Sequence, residues 1–228
     1  MINDNILNQH ARHTFKRSFL KGVHLALAFP LEQVWSAVVG TLKSTLESAS
    51  YEIKGDTGVE MIEASKTGIT LIISAKGIAA GLDIKAYKSY ENFEQEIFPL
   101  IEKLLSNLQV GTCQSVVFQK TNNYRLNKSK LQDNSKAKVL PMIFSKSVIS
   151  DEPVMSVAKN GYLYSAQTAY KSAETEVIAE LVVTAMRVQP TSTKDLKEQL
   201  NTMNQSIYDV WYNSVTEPIR NTMDKEVR

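Results

Sequence analysis

Two periodicities meet at Pro30, and their meeting limits what this chain can become. Upstream of it, Val23, Leu25, Leu27 and Phe29 alternate with His24, Ala26 and Ala28, the period of a strand with one buried face. Downstream, Leu31, Val34, Trp35, Val38, Val39, Leu42 and Leu46 recur at helical spacing, and proline suits the start of a helix. A strand that hands over to a helix so abruptly calls for a sheet with a helix laid on it. Three or four strand-like pieces follow, over residues 51–54, 59–65, 69–75 and 82–87. Gly55, Gly58, Gly68, Gly77 and Gly81 separate them, as turns between antiparallel strands would.

The next stretch, YENFEQEIFPLIEKLLSNL over residues 90–108, reads as a helix with a proline in its middle. At 100° per residue, Phe93, Ile97, Leu100, Ile101, Leu104 and Leu108 share one face, and Pro99 falls roughly opposite, towards solvent. A carbonyl left unpaired by proline can bond water there, so the helix bends around a core without breaking. Residues 113–119 read as another strand and 124–138 as a polar loop. Further strands are expected over 139–144, 154–158, 162–170 and 177–188, the last with a helical alternative. After Pro190, with Ser192 or Thr193 as its cap, a final helix carries Leu196, Leu200, Met203, Ile207, Trp211 and Val215 until Pro218 kinks or ends it.

Strict strand–helix alternation is missing, so the expected class is α+β: a mostly antiparallel sheet, continuous or in two halves, with three long helices packed on it. The expected halves are residues 1–125 and 126–228, packed together. At 228 residues either arrangement buries a full core. A net charge of +2 creates no whole-molecule field favouring nucleic acid or anionic membrane. A single cysteine, Cys113, forms neither an internal disulfide nor a thiolate cluster. The first residues lack the apolar core of a signal peptide, and no apolar run reaches spanning length, so the expected location is the cytoplasm with no membrane contact.

Chemical motifs are sparse. His10 and His13, three apart, have no third ligand at a convincing spacing, and Arg12, Lys16 and Arg17 would repel a cation; they read as a solvated N-terminal segment, and no metal or cofactor is expected. His24 falls on the second face of a strand. Gly77-Ile-Ala-Ala-Gly81 precedes a strand, whereas a phosphate cradle opens a helix, so it reads as a turn. Glu91, Glu94, Glu96 and Glu102 are spread over a helix surface. No catalytic residue is assigned and no enzyme is expected. Two features favour protein contacts: Ser36, Gly40 and Ser44, a small-residue groove on the first helix, and Tyr162, Tyr164 and Tyr170, rings on one strand face. The alternative is nucleic acid, held by Lys128, Lys130, Lys136 and Lys138 with Tyr124 and Arg125 stacking on a base.

Four landmarks in order, LALAFPLEQVW, YENFEQEIFPLIEKLL, VVFQKTNNYRLNK and LKEQLNTMNQSIYDVWYNSVTEP, resemble a sporadically distributed, largely uncharacterised family of bacterial and archaeal proteins often found near mobile-element and defence genes. In that family the third landmark tends to read Arg-Tyr-apolar-Asn; here it is Tyr124-Arg125-Leu126-Asn127, so Asn127 carries over and the first two are exchanged. The resemblance implies a mixed α+β body with the terminal helix on a sheet, and no established catalytic residues. It adds a setting to the binding expectation: a chaperone, antitoxin or accessory subunit of an antiviral defence or toxin–antitoxin module, acting on another protein or by self-association.

Overall fold

The computed structural model of the protein describes residues 4–13, 18–55, 60–131, 135–145, 148–149 and 154–224; for Asp4, Asn5, Gly55, Lys130, Val154 and Met155 it describes the backbone alone. In chain order the elements are β1 (Leu20–Ala28), α1 (Trp35–Ser48), β2 (Glu52–Gly55), β3 (Met61–Lys66), β4 (Ile69–Ser74), β5 (Gly77–Asp83), α2 (Tyr90–Glu96) and α3 (Phe98–Asn107). Then come β6 (Thr112–Cys113), β7 (Ser115–Asn127), α4 (Lys136–Ile143), β8 (Val154–Lys159), β9 (Tyr162–Ser172), β10 (Glu176–Arg187), β11 (Thr191–Ser192), α5 (Leu196–Ser214) and α6 (Glu217–Met223). Hydrogen bonding orders nine strands β2-β3-β4-β5-β1-β7-β10-β9-β8, while β11 and β6 form a small pair. This is the α+β class with an antiparallel sheet.

The chain divides into two compact units that a cut near residue 125 does not separate. The first comprises Met1–Lys21, Gln119–Ala185 and Gln205–Arg228; the second, Gly22–Phe118 and Met186–Asn204. The reason is covalent: β1, β7, β10 and α5 each contribute residues to both.

In the second unit, β2 to β5 form an antiparallel meander and β1 joins its far side, with Leu25 opposite Ala80 and Leu27 opposite Ile78. One face is buried throughout: Val23, Leu25, Leu27, Ile62, Ala64, Leu71, Ile73, Ile78, Ala80 and Leu82 are all at most 3% exposed. Against it lie the apolar sides of α1 (Val38, Leu42, Leu46) and of α2 and α3 (Phe93, Ile101, Leu104, Leu105), and Phe93 meets Phe118 of β7 at 5.7 Å. Gly68, at φ +74°, makes the tight β3–β4 turn that side-chain-bearing residues resist. In the first unit, Val177, Ala179, Leu181 and Val183 of β10 and Tyr164 and Ala166 of β9 are buried, as are Val139, Leu140 and Ile143 of α4 and Ile207, Val210 and Trp211 of α5.

Several expectations need correcting. The helix over 90–108 is two: α2 ends at Glu96, α3 starts at Phe98, and Pro99 occupies its first turn, where no donor N–H is required. Pro99 does face solvent, and Phe93, Ile97, Ile101, Leu104 and Leu108 do face inward, whereas Leu100 is only half-buried. Of three long helices, α1 and α5 therefore stand whole. Gly77 and Gly81 belong to β5 itself, not to a turn, since both pair with β4 and β1; at Gly77 a Cβ would lie 2.2 Å from the Leu27 carbonyl oxygen of β1, which only glycine avoids. The strand expected over 139–144 is the helix α4, which contains Pro141. The loop over 124–138 is shorter than expected, since β7 runs on to Asn127; its residues 132–134, like Gly58, Val59, Lys16 and Arg17, lie outside the described residues.

Candidate functional site

An antiparallel sheet with one solvated face normally carries charge on that face. In the second unit Glu52 of β2 and Glu63 of β3 do so, whereas the outward positions of β4, β5 and β1 do not. The register sets Ile72, Ala79 and Ala26 in one row, Thr70, Gly81 and His24 in the next, and Ser74, Gly77 and Ala28 in a third. Across β4, β5 and β1 these positions hold no ionised side chain: burial lowers the pKa of His24, which keeps it neutral at neutral pH. Charge begins at the rim, with Lys76 in the β4–β5 turn, Glu63 opposite Ile72 on β3, and Asp83 at the far end of β5. Ile72 is 40% exposed, and a Cβ built on Gly81 meets nothing within 4 Å, so the rows are open. Ile72, Ala26, Ala28, Ala79 and Val117, with Lys76 among them, line a shallow groove of about 230 Å³ along this face.

The first unit holds a different constellation, built where the N-terminal segment runs along α5. The His10 backbone N–H donates to Asp209 Oδ1 at 3.0 Å, and its ring stacks on Tyr212 at 4.1 Å and bonds Asn213 Oδ1 at 2.8 Å. Arg12 lies 5.1 Å over the Tyr208 ring and donates to Gln205, while Arg220 covers Tyr212 at 4.3 Å. His13 donates its backbone N–H to the Tyr208 hydroxyl, and its ring meets Asp224 at 2.7 Å. Burial pushes the Asp209 carboxyl up, against the His10 N–H and the nearby His10 and Arg12 charges, which pull it down. Next to this ladder, Phe19, Leu20, Ile207, Trp211 and Met223 wall a recess of about 230 Å³, with Lys120 and Asn122 on its floor strand. That volume is below the range of ordinary small-molecule sites. His10 and His13 thus fasten the segment to its neighbours, although Asn8, Gln9, Ala11, Arg12 and His13 remain exposed as a solvated segment would be; among the described residues no three His, Cys, Asp or Glu side chains group as a metal site. The sequence signal for this constellation was the aromatic spacing Tyr208, Trp211 and Tyr212, of which the apolar stripe took in Trp211 alone.

The sequence-predicted site residues separate as follows. Ser36, Gly40 and Ser44 are exposed on α1, with open space around Gly40. Tyr162 and Tyr164 are buried at 7% and 4% exposure and stack at 5.8 Å on one another, so neither ring is presented to a partner; Tyr170 is half-buried. Their row is the inward row of β9, where the sheet needs bulk. Tyr124 is 1% exposed between Phe19, Phe144 and Trp211, so it cannot stack on a base. Arg125 is exposed and pairs with Glu176 at 3.7 Å. Lys128 is half-buried, Lys136 and Lys138 are exposed, and the Lys130 side chain lies outside what the structure describes. The Asn127 side chain caps a short 3-10 turn by accepting from the Ser129 N–H, a local structural role.

No protein-family model matches this chain, and no curated protein does. Among solved structures, the aspartate kinase of Clostridium acetobutylicum, described as an important allosteric enzyme for industrial amino acids production, aligns at 11% identity with a TM-score of 0.24. The alignment covers 84% of this chain and 33% of that one, so the chain spans about a third of its length. At that score the alignment supports no inference about fold or function. Among the described residues no helix is long and apolar enough to cross a membrane.

Proposed function

We propose that this protein is a non-catalytic, protein-binding component, and that it binds through the outward face of β4, β5 and β1. The observation that carries the reading is the uncharged open face itself, centred on Ile72 at 40% exposure. Protein recognition favours such a surface: the core of an interface is depleted of charge, while ionised groups collect at its rim. Phosphate recognition needs the opposite, a cluster of unpaired cations. The exposed stripe of Ser36, Gly40 and Ser44 on α1 is compatible with a close backbone approach but adds no specificity of its own. The setting, a chaperone, antitoxin or accessory subunit of a defence or toxin–antitoxin module, comes from the family resemblance of the four sequence landmarks.

A photo-crosslinking amino acid placed at Ile72 tests this in the cells that make the protein. The expected product is a covalent adduct that protease destroys and nuclease leaves intact. A nuclease-sensitive adduct would transfer the role to nucleic acid, and equal labelling from Ile72 and from a distant exposed site such as Val188 would remove the face from consideration.

A further inference from the structure

We propose that the recess beside α5 binds a small aromatic carboxylate, a single ring carrying a short acid arm. The proposal concerns the first unit alone and stands apart from the binding role of the β4–β5–β1 face.

The floor of the recess supplies the polar half of the argument. The inward row of β7 runs Val116, Phe118, Lys120, Asn122 and Tyr124, so two polar residues hold positions that the rest of the row gives to apolar bulk. Asn122 is 8% exposed, and its amide makes no hydrogen bond to a described residue. Buried amides are nearly always bonded, because an unmet one loses its hydration for nothing. Asn122 lines the recess, so its partner has to come from there. Lys120 stands two residues away on the same strand face, with its Cα about 7 Å distant. It is the one cation among the described lining residues, and none of them is an acid. An ammonium and an amide on one strand face suit a carboxylate, which takes charge from the first and a donated N–H from the second.

The walls supply the apolar half. Phe19, Leu20, Ile207, Trp211 and Met223 close the sides, and the Trp211 ring lies 5.8 Å from that of Tyr208. Both polar tips are engaged elsewhere: the Trp211 N–H donates to Tyr124, and the Tyr208 hydroxyl accepts the His13 N–H. What these two rings offer a ligand is therefore aromatic surface, held still. Size narrows the choice further. A dry cavity of about 150 Å³ accepts benzene, so about 230 Å³ leaves room for one ring and a short arm but not for a second ring. Ser18 is exposed, and Phe19 and Leu20 are half-exposed, which leaves a way in from solvent.

Isothermal titration of the purified full chain with phenylacetate tests this. For a ligand of about ten heavy atoms, saturation with a dissociation constant of roughly 0.1 to 1 mM is expected. The neutral isostere 2-phenylacetamide is expected to bind at least about tenfold more weakly, and the cation 2-phenylethylamine not at all. Lys120→Met should bring phenylacetate down to the level of the amide and leave the amide unchanged. Asn122→Leu should weaken both by about tenfold, yet melt at or above the wild-type temperature, since it removes a buried group that has no partner in the free protein. A structural role for Asn122 would lower that temperature instead. The comparison of three compounds on the wild type needs no variant, so misfolding of either one leaves the test intact. No saturable heat from phenylacetate up to about 10 mM, or equal affinity for the acid and the amine, overturns the proposal. So does unchanged phenylacetate binding in both variants.

Discussion

The Tyr124 hydroxyl accepts a 2.9 Å hydrogen bond from the Trp211 indole, and the two residues are 1% and 8% exposed. Tyr124→Phe keeps the ring contacts with Phe19 and Phe144 but removes the acceptor of this bond, so a loss of about 1 kcal/mol in urea unfolding is expected. This residue also shows why the inward row of β7 was hard to read. Val116 and Phe118 announce the alternation, but Lys120 and Asn122 interrupt it, because that part of the row floors a recess and not a dry core. A stretch that looked like the base of a polar loop was therefore strand. Cys113 gives a second test. Its buried thiol is pushed up from 9.0 to about 11 by burial, so it should not react with a thiol reagent until the chain unfolds, and then with one equivalent. The unfolded thiol ionises first. Its contribution to stability is thus complete below pH 9 and declines as the pH rises towards 11, by about 2–3 kcal/mol. Comparing the wild type with Cys113→Ala over that window isolates it from the tyrosines.

Among the elements, α1, the strands β9 and β10 and α5 follow their periodicity, because each buries an apolar side whose spacing is written in the chain. Elements shaped by backbone approach are not written that way. Gly77 opens a strand because the β1 backbone comes too close for any side chain, a contact between residues fifty apart that no local pattern records. Pro141 sits inside the short helix α4, where proline argues against a helix locally, and the packing of Val139, Leu140 and Ile143 overrides it. At α2 the stop and start are local: Ser89 in extended backbone accepts the Asn92 N–H at 3.1 Å through its Oγ. Ser89→Ala removes that cap and should lower stability by about 1 kcal/mol, with glycine at the same position costing less. Denaturant melts of the two variants check the order.

For the molecule as a whole, the antiparallel α+β class was legible, but the partition was not: two units interleave because long elements pass through both. The N-terminal segment was the least legible part. Its short polar sequence, with histidines and arginines, looks solvated until α5 is placed beside it. Ile6 is fully buried and Leu7 nearly so, while Asn213 of α5 donates to the carbonyls of Ile6 and Asn8 and the Tyr208 hydroxyl reaches that of Ala11. Burying two such side chains contributes about 3–6 kcal/mol, more than the exposed His13–Asp224 pair could. Removing residues 1–13 should therefore loosen the end of α5 that they cover. Amide exchange over residues 205–214 is expected to rise by at least about a hundredfold, since each 1.4 kcal/mol is about a factor of ten, while the amides of β4 and β5 exchange as before. Uniform acceleration across all strands would instead mean that the segment stabilises the chain globally, and unchanged exchange in α5 would mean that its contacts contribute nothing.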